Sequence, residues 1–204
     1  MSEPDDATLL VAWAEGDADA GNRLLGRYFD RLLVFFGPRA ERDVEDLVQR
    51  TMLSCVRARG SLERASSFRA FLFTTANNEL IDHYRRRSHA LPLAEPDEAA
   101  AERTTPSQFA VDRQQRRALA RALQSIDLDL QVVVALHYWE GMTNAELAET
   151  LEIPLGTVKS RLRRAKEALH ARLLEHQPTA MADETLASLD RWAAHVREQS
   201  SPAR

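Results

Sequence analysis

Apolar residues recur along this chain at intervals of three and four, the period of an α-helix, and no segment shows the sustained alternation of a half-buried strand. Leu9, Leu10 and Trp13 form a first group. Leu24, Leu25, Tyr28, Phe29, Leu32, Leu33 and Phe36 form a second, after which Gly37-Pro38 is expected to break the helix. Val44, Leu47, Val48, Met52 and Val56 mark the inner side of a helix from Asp43 to Arg59. A loop with Gly60, Ser61 and Ser66 follows, and Ser66 or Ser67 can cap the next helix. That helix, Phe68 to Arg87, carries an apolar stripe of Phe68, Phe71, Leu72, Ala76, Leu80 and Tyr84.

From Ser88 to Phe109 the stripe stops, and Leu91-Pro92, Glu95-Pro96-Asp97-Glu98 and Thr104-Thr105-Pro106-Ser107 read as an acidic linker. A helix from Val111 to Gln124 and an apolar stretch from Leu128 to Trp139 come next. Beyond Pro178, Leu186, Leu189, Ala193 and Val196 make a narrow stripe, the mark of an added amphipathic helix that either packs on the second domain or serves regulation. The pattern predicts an all-α chain: two small helical domains at 6–89 and 111–176, a flexible acidic linker at 90–110, and a C-terminal helical extension at 177–204.

The most informative stretch lies between Gly141 and Leu174. Thr143 with Glu146 three residues later is a capping-box pair, in which each side chain satisfies a backbone donor at a helix start. Leu147, Leu151, Ile153, Val158 and Leu162 are spaced to face inward across a helix crossing, and Ala148 is small enough for a close approach. Pro154 ends the turn and opens a second helix, Leu155 to Leu174. That helix bears Lys159, Arg161, Arg163, Arg164 and Lys166 with no acidic residue among them, a helix-turn-helix with a concentrated positive face. A solvated charge run is the plain alternative.

Charge sharpens the picture. The 204-residue chain has a net charge of −4, against a general nucleic-acid coat protein, because nonspecific duplex affinity comes from phosphate neutralisation. Any DNA binding has to be local or assisted. On the Phe68 to Arg87 helix, Asn78, Asp82, Arg85 and Arg86 share a face of amide, carboxylate and guanidinium groups, which suits base recognition better than a uniform charge run; a solvated helix end is the alternative. Cys55 is the only cysteine, which excludes an intrachain disulfide and a thiolate metal cluster and points to a buried, inert thiol. The six histidines show no zinc spacing, and neither a glycine-rich phosphate loop nor a nucleophile elbow is present, so no cofactor, metal or enzymatic activity is expected. With no secretory N-terminus and no apolar run of bilayer length, a cytoplasmic protein is expected.

Three blocks together resemble bacterial RNA polymerase sigma factors of the extracytoplasmic-function class. They are Asp46-Leu47-Val48-Gln49-Arg50-Thr51-Met52; Ser67-Phe68-Arg69-Ala70-Phe71-Leu72 with Asn78 and Asp82-His83-Tyr84-Arg85-Arg86-Arg87; and Ile153-Pro154-Leu155-Gly156-Thr157-Val158-Lys159-Ser160-Arg161-Leu162-Arg163-Arg164-Ala165. The resemblance covers Asp6 to Leu174 in order and spacing. It implies a first domain that docks on core polymerase and opens the minus-10 element, and a second that binds the minus-35 element as duplex. By position it implies that Asp46, Leu47 and Gln49 contact the beta-prime clamp helices, and that Asn78, Asp82, Arg85 and Arg86 lie at the minus-10 element. Lys159, Ser160, Arg163 and Arg164 would face major-groove base edges, with Thr143, Arg161 and Lys166 at phosphates. Core RNA polymerase and promoter DNA are the implied partners, an anti-sigma protein a further one, and membrane insertion is not implied. The sequence also departs from the family pattern: Arg50 stands at a common glutamate, Met52 at a common aromatic, Asn144 at a common tyrosine, Glu152 at a common turn glycine, and Leu62 to Ser67 lacks the usual aromatic and glycine. A stand-alone helix-turn-helix regulator, or a module that sequesters a partner, would use the same helices without initiating transcription.

Overall fold

The computed structural model describes residues 3–64, 67–90, 110–189, 191, 193 and 194, and their regular structure is helical throughout. Helices α1 (Asp6–Ala14), α2 (Ala18–Ala40), α3 (Val44–Ala58) and α4 (Phe68–Ala90) build one compact unit. Helices α5 (Ala110–Gln124), α6 (Leu128–Val134), α8 (Leu155–Leu174) and α9 (Thr179–Ala187), with α7 (Asn144–Thr150) as far as Ala148, belong to the other. Of the linker expected over 90–110, Ala90 ends α4, Ala110 begins α5, and the rest lies outside the described residues.

The first unit closes around aromatic rings. Tyr28 and Phe35 from α2 meet Phe73 from α4 edge to face at 6.5 and 5.6 Å, and Phe68 stands edge-on to Trp13 and Tyr28 at 6.3 and 5.4 Å. Such pairs add about 0.5–1.5 kcal/mol each beyond the area they bury. Asp5 caps α1 by accepting from the Thr8 N–H at 2.8 Å. Asp6 then accepts from the Tyr28 hydroxyl and pairs with Arg27 at 2.7 Å, which ties α1 to α2. Burial and the Asp6 carboxylate raise the Tyr28 phenol well above its usual range. Where α1 crosses α2, Gly21 lies so near Trp13 that an added Cβ would overlap the indole. Trp13 is buried and cannot swing into solvent, so Gly21→Ala is expected to destabilise this unit by about 1–3 kcal/mol, the usual range for overpacking. A lowered urea midpoint checks this; an unchanged one would show that the indole moves aside freely.

Three expectations need correction here. Gly37-Pro38 does not break the helix: α2 continues through Pro38 to Ala40. Proline so near a C-terminus removes one backbone donor but leaves few later turns to disrupt. The buried Arg39 also donates its Nη1 to the Phe35 carbonyl, adding a side-chain donor to the last turn. In α3 the buried residues are Leu47, Val48, Thr51 and Cys55, whereas Val44 and Met52 are half-buried and Val56 is exposed. Thr51 is tolerated inside because its hydroxyl donates to the Leu47 carbonyl at 2.8 Å. Burial pushes the Cys55 thiol up to about 12, so it is held as an unreactive thiol. The stretch with Gly60 and Ser61, expected as a loop, belongs to a 3₁₀ segment, Arg59–Arg64, that sinks Leu62 into the core.

In the second unit α6 is buried from Leu130 to Val134 and runs into a π-turn, Ala135–Trp139, in which the Glu140 N–H reaches back five residues to Ala135. His137 Nδ1 lies 2.9 Å from the Met142 carbonyl and holds the chain entering α7. The extension packs on this unit: α9 lies against α8 and α5. Its buried residues are Ala182, Thr185, Leu189 and Ala193; Leu186, expected inside, is half-buried, and Val196 lies outside the described residues.

Candidate nucleic-acid interface

The helix-turn-helix is fixed by its own termini. The Thr143 N–H and hydroxyl donate to Glu146 Oε2 at 2.8 and 2.9 Å, and the Glu146 N–H donates back to the Thr143 hydroxyl at 3.3 Å. That reciprocal arrangement starts α7 and occupies the side chain expected at a phosphate. The turn closes with the Ile153 N–H on the Ala148 carbonyl at 3.1 Å. Glu152 takes φ 54, the left-handed conformation that glycine adopts without a Cβ penalty. That penalty is about 1–2 kcal/mol, partly offset by the backbone freedom glycine loses on folding. Glu152→Gly is therefore expected to stabilise the second unit by about 0.5–1 kcal/mol, read as a higher urea midpoint. A lower midpoint would mean that the Glu152 side chain supports the turn. Pro154 stands just before α8, one step earlier than the first turn, and its carbonyl accepts from Thr157 and Val158 at 2.8 and 3.1 Å.

Val158, Ala165, Leu169 and Leu173 form the buried side of α8, while Lys159, Ser160, Arg163, Arg164 and Lys166 are exposed. Leu147 and Val158 are fully buried; Leu151, Ile153 and Leu162 are half-buried. The cations are not equivalent. Arg161 is half-buried, with Nε 3.1 Å from Asp129 Oδ2, and anchors α8 to α6. Lys166 places Nζ 5.8 Å from the Tyr138 ring centroid, and Arg163 pairs with Glu167 at 2.7 Å one turn on. Arg164 is exposed on the same half of the helix.

In the first unit, Ser67 starts α4 by accepting from the Ala70 N–H at 3.1 Å. Buried Phe68, Leu72, Phe73, Ala76 and Leu80 root the helix, and Tyr84, 39% exposed, donates its hydroxyl to the Arg39 carbonyl at 2.7 Å. Asn78, Asp82, Arg85 and Arg86 are all exposed, as a contact face requires. Asp82 organises the other two charges: its carbonyl accepts from Arg86 Nε at 3.2 Å, and its Oδ1 lies 3.6 Å from Arg85 Nη1. Beneath them His83 is buried, with Nε2 3.8 Å from Asp43 Oδ2. Burial lowers the His83 pKa; Asp43 opposes that shift, and Arg87, Arg86 and Arg50 reinforce it.

On α3, Asp46 and Gln49 are exposed but Leu47 is fully buried, so Leu47 secures the helix rather than offering its side chain to a partner. Arg50 Nη2 lies 2.6 Å from Asp46 Oδ2. Leu53 and Val56, 44% and 47% exposed, continue the Asp46 and Gln49 side of the helix at intervals of three and four residues. Sequence reasoning missed this continuation. The spacing 46, 49, 53, 56 carries the signal, but Val56 also fits the apolar stripe.

Two family models match: sigma-70 region 2 over residues 23–90, and sigma-70 region 4 over 116–169. An extracytoplasmic-function RNA polymerase sigma factor of Mycobacterium tuberculosis, SigM, is 31% identical over 182 residues, covering 88% of this chain and 89% of its own. The chain belongs to the extracytoplasmic-function sigma factors. The sigma-E factor of Escherichia coli K12 is 28% identical over 183 residues, covering 83% of this sigma factor and 95% of its own chain. Among solved structures, the Bartonella quintana sigma factor RpoE in complex with the anti-sigma factor NepR aligns with a TM-score of 0.60 at 25% identity, covering 78% of this sigma factor and 99% of that chain. CnrH in complex with the cytosolic domain of CnrY aligns with a TM-score of 0.62, also at 25% identity, covering 84% and 99%. Region 2 thus contains the polar faces of α3 and α4, and region 4 the turn and basic half of α8. The α9 helix lies beyond the region 4 match.

Proposed function

We propose that this sigma factor binds the clamp helices of core RNA polymerase through α3 and directs promoter-specific initiation with two DNA faces. Asp46 and Gln49, extended by Leu53 and Val56, form the polymerase side. Asn78, Asp82, Arg85 and Arg86 act at the minus-10 element, where strand opening exposes bases to amide and guanidinium groups. Lys159, Ser160, Arg163 and Arg164 read the minus-35 duplex, with Lys166 toward phosphate. Thr143 caps α7 through Glu146, and Arg161 anchors the reading helix through Asp129.

The observation that carries this reading is the capped turn that presents the exposed basic half of α8 while its other side is buried. The net charge of −4 fits a subunit whose nonspecific DNA affinity comes from the polymerase. A further partner is an anti-sigma protein, by analogy with the two structural neighbours, both solved as complexes. The chain acts in the cytoplasm on this reading; no described helix is long and apolar enough to cross a membrane. No catalytic group of its own is required, because the chemistry belongs to the polymerase.

Transcription in vitro from genomic fragments with active core polymerase tests the proposal. Discrete start sites that depend on the added chain are expected. A folded chain that binds DNA but opens no promoter with active core would favour the stand-alone regulator instead.

A further inference from the structure

Lys159, Arg163, Lys166 and His170 follow the i, i+4, i+7, i+11 spacing that places them in one stripe along α8. The first three are exposed cations, a positive track in which Lys159 and Arg163 are placed at base edges, Arg163 being paired with Glu167, and Lys166 at phosphate. At the fourth position the track meets a carboxylate: His170 Nε2 lies 2.8 Å from Oδ1 of Asp183 on α9. The carboxylate is held there by its own helix. Pro178 opens α9, its carbonyl accepting from Met181 and Ala182 at 3.0 Å each. The buried Thr185 donates its hydroxyl to Gln177 Oε1 at 3.2 Å, and Ala182, Leu189 and Ala193 are buried as well. Asp183 thus follows a buried residue directly and is exposed at the end of the stripe, beside exposed Glu184.

From this geometry we infer that Asp183 is a specificity-determining residue, an electrostatic stop that ends the positive track at Lys166 and keeps further phosphate contact from forming along the C-terminal half of α8. The inference rests on the reading of α8 as the duplex-binding helix. Each phosphate a protein neutralises adds affinity for every sequence alike, whereas base contacts favour one. A carboxylate at the end of the track repels the next phosphate. It trims the sequence-independent part of binding and leaves the base-reading positions untouched. Specificity is the ratio of the two, so trimming the first raises it.

Asp183→Asn is nearly isosteric and keeps a hydrogen-bonding group opposite His170. Open-complex formation by the holoenzyme is measured on a promoter with its upstream element intact and on one with that element scrambled, over a range of salt. The expected result is a rise of several-fold on the scrambled template, a smaller rise on the intact one, and a salt dependence steeper by about one ion. An unchanged ratio overturns the inference. So does an equal loss on both templates, which would assign Asp183 to bracing α8. Lys159→Ala separates the two levels: if it leaves discrimination intact, the reading of α8 itself fails. If it lowers discrimination while Asp183→Asn has no effect, only the stop is refuted.

Discussion

Arg164→Ala is expected to cost about 1–3 kcal/mol of upstream-element discrimination, with the loss concentrated at one base position. A guanidinium reads a guanine through two parallel hydrogen bonds in the major groove, and no alanine contact replaces them. Arg164 suits that task because it is exposed on a helix whose opposite side is buried, so its reach is set by a fixed backbone. Its neighbour Arg163 starts from an ion pair with Glu167, worth about 0.3–0.5 kcal/mol at an exposed i, i+4 site, so its net gain from a base contact is smaller. Truncating the exposed Arg164 should leave unfolding within about 0.5 kcal/mol of the parent, which keeps the measurement about recognition. Holoenzyme is compared on promoters carrying single-base changes across the upstream element. If the variant slows every template by the same factor, Arg164 contacts phosphate and the base-reading assignment is wrong. Lys166→Ala is the complementary case: a uniform loss with a salt slope lower by about one ion.

The sequence makes the reading helix legible because its punctuation is chemical. A capping-box pair, a proline and a run of cations each act locally, and the structure puts α8 at Leu155–Leu174, the bounds expected from them. The first unit was harder to read where two helical stripes overlap. On α3, Val44, Val48, Met52 and Val56 obey the helical period as well as Leu47, Thr51 and Cys55 do, and hydrophobicity favours the first set. Burial mostly follows the second, because Thr51 satisfies its hydroxyl on its own helix and a short cysteine fits the α2–α3–α4 packing. Pro38 was misleading for the opposite reason: a strong local breaker lies only two residues from where α2 ends. Phe73 was missed because it flanks the stripe through Leu72, yet it is fully buried and meets Tyr28 and Phe35. In α9, small residues do the packing: Ala182 and Thr185 are buried while the larger Leu186 is only half so. Pattern reading gives such residues too little weight.

Asp46→Ala and Leu47→Ala are expected to weaken polymerase binding by different routes. Leu47 is fully buried, and trimming a buried leucine costs about 2–5 kcal/mol through lost transfer energy and the cavity left behind. Its variant should unfold at markedly lower urea and lose binding through depletion of the folded helix. Asp46 is half-exposed, and its bond to Arg50 is worth at most about 0.5 kcal/mol, so its variant should unfold almost as the parent does. Its loss of core affinity should nevertheless exceed about 1 kcal/mol if the carboxylate meets a cation on the clamp, as removal of an interface anchor does. Arg50 sharpens the test, because it must release Asp46 before a partner can take the carboxylate fully, and Arg50→Ala should bind core at least as well as the parent. Core affinity and urea unfolding, measured on the same three variants, separate these effects. Should Asp46→Ala bind core like the parent, or unfold as readily as Leu47→Ala, α3 is not docked through this face.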